Sequence, residues 1–295
     1  MLAVVAVSGR QPGATKQLVA HRGASAYAPE HTIDAYTLAL SQGADFVEQD
    51  LAVTKDGVLV CIHDLTLERT TNVEDVFPNR FVEQKGSGAA VRRWLVGDFT
   101  LAELKTLDAG AWFDKKYTGA RIPTFQEAID LVKGKAGLYP ELKDPEFYRR
   151  RGVSPETLLA EILKKNALPD AKTPIIIQSF DDTTLKHLAR DLPAIPRVFL
   201  VDPGATHRVD SPGKMKEIAT WATGLGPNKT IVSARPDVVS WAHAAGLTVT
   251  PWTFRSSNTG SFPDVRAEME KFLYDYGVDA VFTDNPDQFP RRPRR

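Results

Sequence analysis

The run Asp45-Phe46-Val47-Glu48-Gln49-Asp50-Leu51, carried through Thr54-Lys55-Asp56-Gly57 into Val58-Leu59-Val60-Cys61-Ile62-His63-Asp64, reads as a β-strand that ends in two carboxylates and doubles back on itself. A short apolar run of this kind suits a strand, and the Asp-Gly pair favours a tight reversal. Residues 58–63 are therefore a hairpin arm of the strand before them. Glu48 and Asp50, two positions apart, project to the same side of that strand.

Working outward, similar runs recur at 17–20, 137–142, 174–179, 196–201, 223–226, 247–252 and 279–283. With 45–51 they make eight predicted strands. Between them, amphipathic spacing predicts helices over 32–42, 124–133, 154–166, 182–191, 214–222, 235–245 and 264–276. Ser154 and Pro155 are suited to the N-cap and first helical position, and Gly43, Gly134, Gly224, Gly246 and Gly277 stand where C′ glycines are expected. Strands alternating with helices point to an α/β fold, a TIM (β/α)8 barrel.

At 295 residues the chain suits one barrel of roughly 250 residues with an insertion. The expected division is a leader or signal-peptide remnant at 1–16, one barrel domain over 17–290, and a solvated basic tail at 291–295. Residues 71–122, including Lys85-Gly86-Ser87-Gly88-Ala89-Ala90, are too long for a simple connection and read as an insertion over the barrel mouth. The 37 basic residues equal the 37 acidic ones, so no net field favours nucleic acid and an anion must be captured locally. Cys61 is the only cysteine, which excludes an internal disulfide and reads as a small core residue. No stretch approaches the ~20 apolar residues of a membrane span.

In a barrel of this type chemistry gathers at the carboxyl ends of the strands. His21 and Arg22 end the first strand, Glu48 and Asp50 the second, and Glu141 and Lys143 repeat the two-residue spacing on the third. Three carboxylates converging at one rim repel each other unless a cation lies between them. Oxygen donors suit Ca²⁺ or Mg²⁺ better than zinc, which makes Glu48, Asp50 and Glu141 candidate ligands. The same acids can instead pair with Arg22 and Lys143 without metal. His21 and His63 titrate near neutrality and suit an acid and a base on opposite sides of a phosphate. Arg22 offers a planar fork for phosphate oxygens and Lys143 a point charge. Gly23 fits either a close approach of ligand or a plain turn. His31, His187, His207 and His243 lack this setting, and His187 and His243 are expected at the helix surface.

These residues lie in a pattern that resembles the glycerophosphodiester phosphodiesterases. The resemblance rests on His21-Arg22-Gly23-Ala24-Ser25 with Pro29-Glu30-His31-Thr32, on Gly43 to Leu51, and on Thr54-Lys55-Asp56-Gly57 with His63-Asp64. It continues in Tyr139-Pro140-Glu141-Leu142-Lys143, Gln178-Ser179-Phe180, Gly224-Leu225-Gly226-Pro227, Pro251-Trp252-Thr253 and Phe282 to Asp287. It implies a barrel of the phospholipase C-like phosphodiesterase type that cleaves small water-soluble glycerophosphodiesters to sn-glycerol 3-phosphate and an alcohol. It further implies catalytic His21 and His63, one divalent cation on Glu48, Asp50 and Glu141, phosphate contacts from Arg22 and Lys143, and Trp252 at the glycerol pocket. Trp252 equally suits core packing. The Pro-Glu-His-Thr form is similar to the bacterial periplasmic branch, which implies Ca²⁺ and a periplasmic or secreted location. The first nucleophile stays open between water and the glycerol 2-hydroxyl. The alternatives are a lipid phosphodiesterase of the sphingomyelinase D or lysophospholipase D kind, and an inactive barrel serving as a binding module.

Overall fold

In the computed structural model the chain is described over residues 15–85 and 90–292. Eight parallel strands are β1 (Gln17–Ala20), β2 (Phe46–Val53), β3 (Gly137–Leu142), β4 (Ile177–Ser179), β5 (Arg197–Val201), β6 (Gly224–Pro227), β7 (Thr248–Val249) and β8 (Ala280–Thr283). They pair in the order β7-β6-β5-β4-β3-β2-β1-β8. The ends of this order meet. Asp279 donates its N–H to the Val249 carbonyl at 2.9 Å, Phe282 to Pro251 at 3.1 Å, and Phe254 to Phe282 at 2.8 Å. The sheet therefore closes into the barrel that the sequence predicts, with helices such as Ile33–Ser41 and Phe125–Val132 packed outside it.

Local chemistry accounts for the elements whose ends differ from expectation. Pro251 has no N–H, so the predicted strand 247–252 contracts to Thr248–Val249. The segment 174–179 keeps only Ile177–Ser179 as strand, since Pro174 can accept from Leu138 but cannot donate back. Pro236 separates a short helix, Lys229–Ala234, from Asp237–Ala244. The predicted helix 264–276 is α-helical over Val265–Glu270 and widens to a π-turn over Lys271–Asp275. Gly43, Gly134, Gly246 and Gly277 follow helices with positive φ, as expected of C′ positions. Gly224 instead opens β6, where a Cβ would lie 2.5 Å from the Thr248 hydroxyl.

The hairpin arm is present as Leu59–Cys61, antiparallel to β2, with Leu51 opposite Cys61 and Val53 opposite Leu59. Residues 71–122 carry a short helix, Val73–Val76, a two-stranded ribbon of Val82–Gln84 with Val91–Arg93, and a helix, Leu101–Leu104, closed by a Thr100/Glu103 capping box. Val73, Trp94, Val96, Phe99 and Leu104 join the core that surrounds the hairpin. Residues 86–89, within the glycine-rich stretch, and residues 1–14 and 293–295, within the expected leader and tail, lie outside the described residues. Arg291 is seated rather than frayed: it bonds the Gly43 carbonyl and reaches Asp45 at 3.3 Å. Among the described residues no helix is long and apolar enough to cross a membrane.

The barrel interior is a layer of Val19, Phe46, Tyr139, Val198, Ala280 and Phe282. Side chains alternate along a strand, so two residues beyond this apolar floor the same face presents His21, Glu48, Glu141, Leu200 and Asp284. A further step along β2 and β3 presents Asp50 and Lys143. The floor is tightly packed beneath them. A Cβ at Gly137 would lie 2.3 Å from the Phe46 ring and 2.9 Å from the Pro174 carbonyl. Gly137→Ala is expected to cost about 1–3 kcal/mol through overpacking, read as a lowered midpoint in thermal unfolding; an unchanged midpoint would show that the floor yields freely.

Candidate active site

The eight residues singled out in the sequence, His21, Arg22, Glu48, Asp50, His63, Glu141, Lys143 and Trp252, line one cleft of about 110 Å³ at the carboxyl ends of the strands. Phe180, Leu200 and Phe282 give it an apolar wall with Trp252. The Trp252 ring stands edge-on to Phe180 at 5.7 Å, and its Nε1 donates to the Gly226 carbonyl at 2.8 Å. Trp252 thus has a half-buried side chain packed on the interior layer and a place in the cleft wall. Among the described residues none from 71–122 lines this cleft.

The acids are deeply buried: Asp50 is 1% exposed, Glu48 2% and Glu141 6%. Asp50 Oδ2 accepts from His31 Nε2 at 2.8 Å and lies 3.3 Å from Arg22 Nε. Lys143 Nζ is 2.9 Å from Glu141 Oε1 and 3.7 Å from Asp50 Oδ1. Glu48 Oε2 accepts the backbone N–H of Arg22 at 2.7 Å. Burial alone would raise every one of these carboxyls. At Asp50 it is outweighed by Lys143, His31 and Arg22, which hold the group well below the usual carboxylate range. Burial, with the charge of Asp50 beside it, pushes Glu48 well up. Glu141 is pushed up to about 8 by burial and by Asp50 against the pull of Lys143.

His31 corrects the sequence reading, which placed it outside the site. It is buried, with Nδ1 2.8 Å from the Tyr36 hydroxyl and Nε2 on Asp50. The signal lay in Pro29-Glu30-His31-Thr32: Thr32 caps helix Ile33–Ser41, and the His31 N–H folds back to the Arg22 carbonyl at 3.1 Å. Arg22 and His31 both take left-handed backbone, φ 56° and 54°, a conformation uncommon for non-glycine residues. Gly23, φ 85°, has its place through packing: a Cβ there would lie 2.6 Å from the backbone of Ala35. His187 and His243 are half-buried rather than on the surface, and His243 Nε2 lies 2.9 Å from Asp279.

Each imidazole of the cleft has a carboxylate on Nδ1, a partner the sequence reading did not assign. His21 Nδ1 lies 2.6 Å from Asp284 Oδ1 and His63 Nδ1 lies 2.6 Å from Asp64 Oδ1. A carboxylate in that place fixes the tautomer with Nδ1 protonated and leaves Nε2 to accept a proton or, when charged, to donate one. Burial and the neighbouring Arg22 lower the His21 pKa against the opposing pull of Asp284.

The donor atoms of His31, Glu48 and Asp50 lie within 4.8 Å of one another, a group that could hold a metal ion. Glu141 stands beside it, joined through Lys143. Asp50 Oδ1 is buried and has no hydrogen-bond partner among the described residues. A buried carboxylate oxygen without a hydrogen bond, 3.7 Å from the Lys143 ammonium, with two raised carboxyls beside it, fits a cation.

A barrel mouth with this mixture of anchored imidazoles, buried acids and cationic side chains belongs to the phosphoric diester hydrolase class of TIM barrels. The chain matches the glycerophosphoryl diester phosphodiesterase family over residues 21–288, and it belongs to that family. It is 36% identical over 281 residues to the glycerophosphodiester phosphodiesterase of Bacillus subtilis, covering 92% of this chain and 84% of that protein. With the Haemophilus influenzae glycerophosphodiester phosphodiesterase it shares 30% identity over 336 residues, covering 95% and 90%. The fold is similar to an Oleispira antarctica phosphodiesterase solved in complex with the product sn-glycerol-3-phosphate, with TM-score 0.73, 29% identity, and 93% and 95% of the two chains covered.

Raised carboxyls make cation binding and pH interdependent. Glu48 and Glu141 keep protons in the folded protein at pH values where the unfolded chain has lost them. Their contribution to metal-free stability is therefore present at low pH and fades as pH rises toward 8. A cation replaces those protons. Saturating Ca²⁺ is expected to raise the unfolding midpoint more at pH 8 than at pH 6, measured by calorimetry with and without chelator; an equal shift at both would show that no proton is displaced.

Proposed function

We propose that this enzyme hydrolyses small water-soluble glycerophosphodiesters to sn-glycerol 3-phosphate and an alcohol. The observation that carries this is the cleft itself: two imidazoles anchored by carboxylates, Arg22 and Lys143 share it with three buried acids and the apolar wall of Trp252, Phe180, Leu200 and Phe282. The family relatives are named for this reaction, and the Oleispira structure holds its phosphorylated product.

Glu48, Asp50 and Glu141 would hold one divalent cation, with Ca²⁺ favoured through the resemblance to the bacterial periplasmic branch and Mg²⁺ possible. His31 orients Asp50 from behind. When bound, the ion supplies positive charge beside the phosphoryl oxygens. Arg22 and Lys143 grip the same oxygens and complete the neutralisation of charge in the transition state. His21, whose pKa is lowered by burial and by Arg22, takes on Nε2 the proton of the attacking oxygen, either water or the glycerol 2-hydroxyl; in the second case water then opens the cyclic phosphate to glycerol 3-phosphate. His63, more open to solvent, gives a proton to the departing alcohol from its own Nε2. Trp252 and its apolar neighbours shed water from the carbon face of the glycerol. A periplasmic or secreted location, expected of the bacterial branch that the chain resembles, belongs to the same proposal and is read by cell fractionation.

A coupled assay for glycerol 3-phosphate with glycerophosphocholine tests the reading directly. His21→Asn and His63→Asn are each expected to lower kcat by roughly 10²–10⁴-fold, and chelator to abolish activity that Ca²⁺ restores. Activity on sphingomyelin or lysophosphatidylcholine in place of glycerophosphocholine would point to the lipid phosphodiesterases, and no turnover of any diester to a binding module.

The pH profile carries a second expectation. A base must be unprotonated to act, and His21 is lowered from the ordinary 6.5, so the acid limb of kcat/KM lies below pH 6.5. Asp284 raises His21 within that balance. Asp284→Asn is therefore expected to move the acid limb to still lower pH, along with a fall in kcat; a limb displaced upward would overturn the assignment of His21 as base.

A further inference from the structure

Arg69 lies outside the cleft lining yet is bonded to both halves of it. It sits in the loop beyond His63-Asp64, within Leu67-Glu68-Arg69-Thr70-Thr71. Its Nε donates to Asp64 Oδ2 at 2.5 Å, its Nη1 to Glu30 Oε2 at 3.0 Å and its Nη2 to Glu30 Oε1 at 2.7 Å. Each of these carboxylates spends its remaining contacts on the cleft. Asp64 Oδ1 holds His63 Nδ1 at 2.6 Å, and Glu30 Oε1 holds Arg22 Nη1 at 3.0 Å. A continuous chain, His63–Asp64–Arg69–Glu30–Arg22, thus joins two loops far apart in sequence.

Both histidines are anchored on Nδ1 by a carboxylate, and they differ in how exposed they are. His21 is 12% exposed and stands edge-on to Phe282, so its walls confine it. The His63 side chain is 33% exposed, and Asp64 is its hydrogen-bonded anchor. Asp64 is itself 29% exposed, and its second oxygen is held by Arg69. The planar fork of an arginine suits this arrangement, one edge bidentate on Glu30 and Nε on Asp64.

We infer that Arg69 is a positioning residue, which holds the Asp64 carboxylate and through it the orientation of the His63 imidazole. The inference rests on the role proposed above for His63. A misplacement of about 1 Å at a proton-transferring group can cost on the order of 10²-fold in rate. Arg69 is itself 41% exposed, but its bidentate hold on the largely buried Glu30 can also support the fold. The substrate dependence of its removal therefore separates positioning from scaffolding.

The test compares Arg69→Gln with His63→Asn on two substrates in the presence of Ca²⁺. Glycerophosphocholine has an alcohol that must be protonated as it leaves. The p-nitrophenyl ester of glycerol 3-phosphate releases p-nitrophenolate, which needs no proton. Arg69→Gln is expected to lower kcat on glycerophosphocholine by about 10–100-fold and on the p-nitrophenyl ester by less than about threefold, the pattern of His63→Asn in weaker form. Arg69→Lys, which keeps the charge without the fork, is expected to show the same substrate dependence and supplies the reading if the glutamine variant does not fold. Equal losses on both substrates would make Arg69 a scaffold residue and overturn the inference. Full activity of Arg69→Gln beside an impaired His63→Asn would overturn it alone, whereas full activity of His63→Asn would remove the acid role of His63 and this inference together.

Discussion

Asp50 is a carboxylate taken almost wholly out of water, and it is held ionised there by His31 and Arg22 from the loop after β1 and by Lys143 from the end of β3. Desolvating such a group is costly, and only paired charge and hydrogen bonds offset the penalty. Much of the mouth of the barrel is organised by that requirement. Arg22 and His31 adopt left-handed backbone next to it, His31 is backed by Tyr36, and Lys143 is shared between Asp50 and Glu141. The arrangement still leaves one Asp50 oxygen without a hydrogen bond and pushes the Glu48 and Glu141 carboxyls upward.

The barrel supplies the geometry that makes this possible. Strand residues alternate between interior and exterior, so the apolar floor of Val19, Phe46, Tyr139 and Phe282 and the functional layer above it are the same faces of the same strands, two residues apart. The floor is packed closely enough that Gly137 leaves no room for a Cβ. A rigid base of this kind holds the side chains above it without needing long loops to do so. The hairpin arm Leu59–Cys61 then brings His63 back to the cleft that His21 also lines.

The loops that finish the site are where charge networks replace burial. On the His21 side the walls confine the ring, and Asp284 is in turn approached by Arg255 at 3.4 Å. On the His63 side Asp64 and Arg69 are partly open to solvent, and the restraint is hydrogen bonding carried across to Glu30. Two histidines that read alike in the sequence therefore sit in different surroundings.

Much of this was legible in the chain. Alternating apolar runs and amphipathic stretches specify a parallel barrel because strand and helix periodicities are local properties, and paired spacings such as Glu48/Asp50 and Glu141/Lys143 set which side chains share a face. The barrel then brings all eight singled-out residues to one cleft. Proline decided several element ends that periodicity could not, at Pro174, Pro236 and Pro251, since a missing N–H acts through the partner strand or the helix turn. His31, Asp284, Glu30 and Arg69 have partners up to 263 residues away, and no local pattern states which carboxylate will meet which imidazole. Local periodicity and spacing are enough to specify the barrel and the residues at its rim. How those residues pair is set by the closed fold, because hydrogen bonds and burial depend on where distant loops meet, not on spacing along the chain.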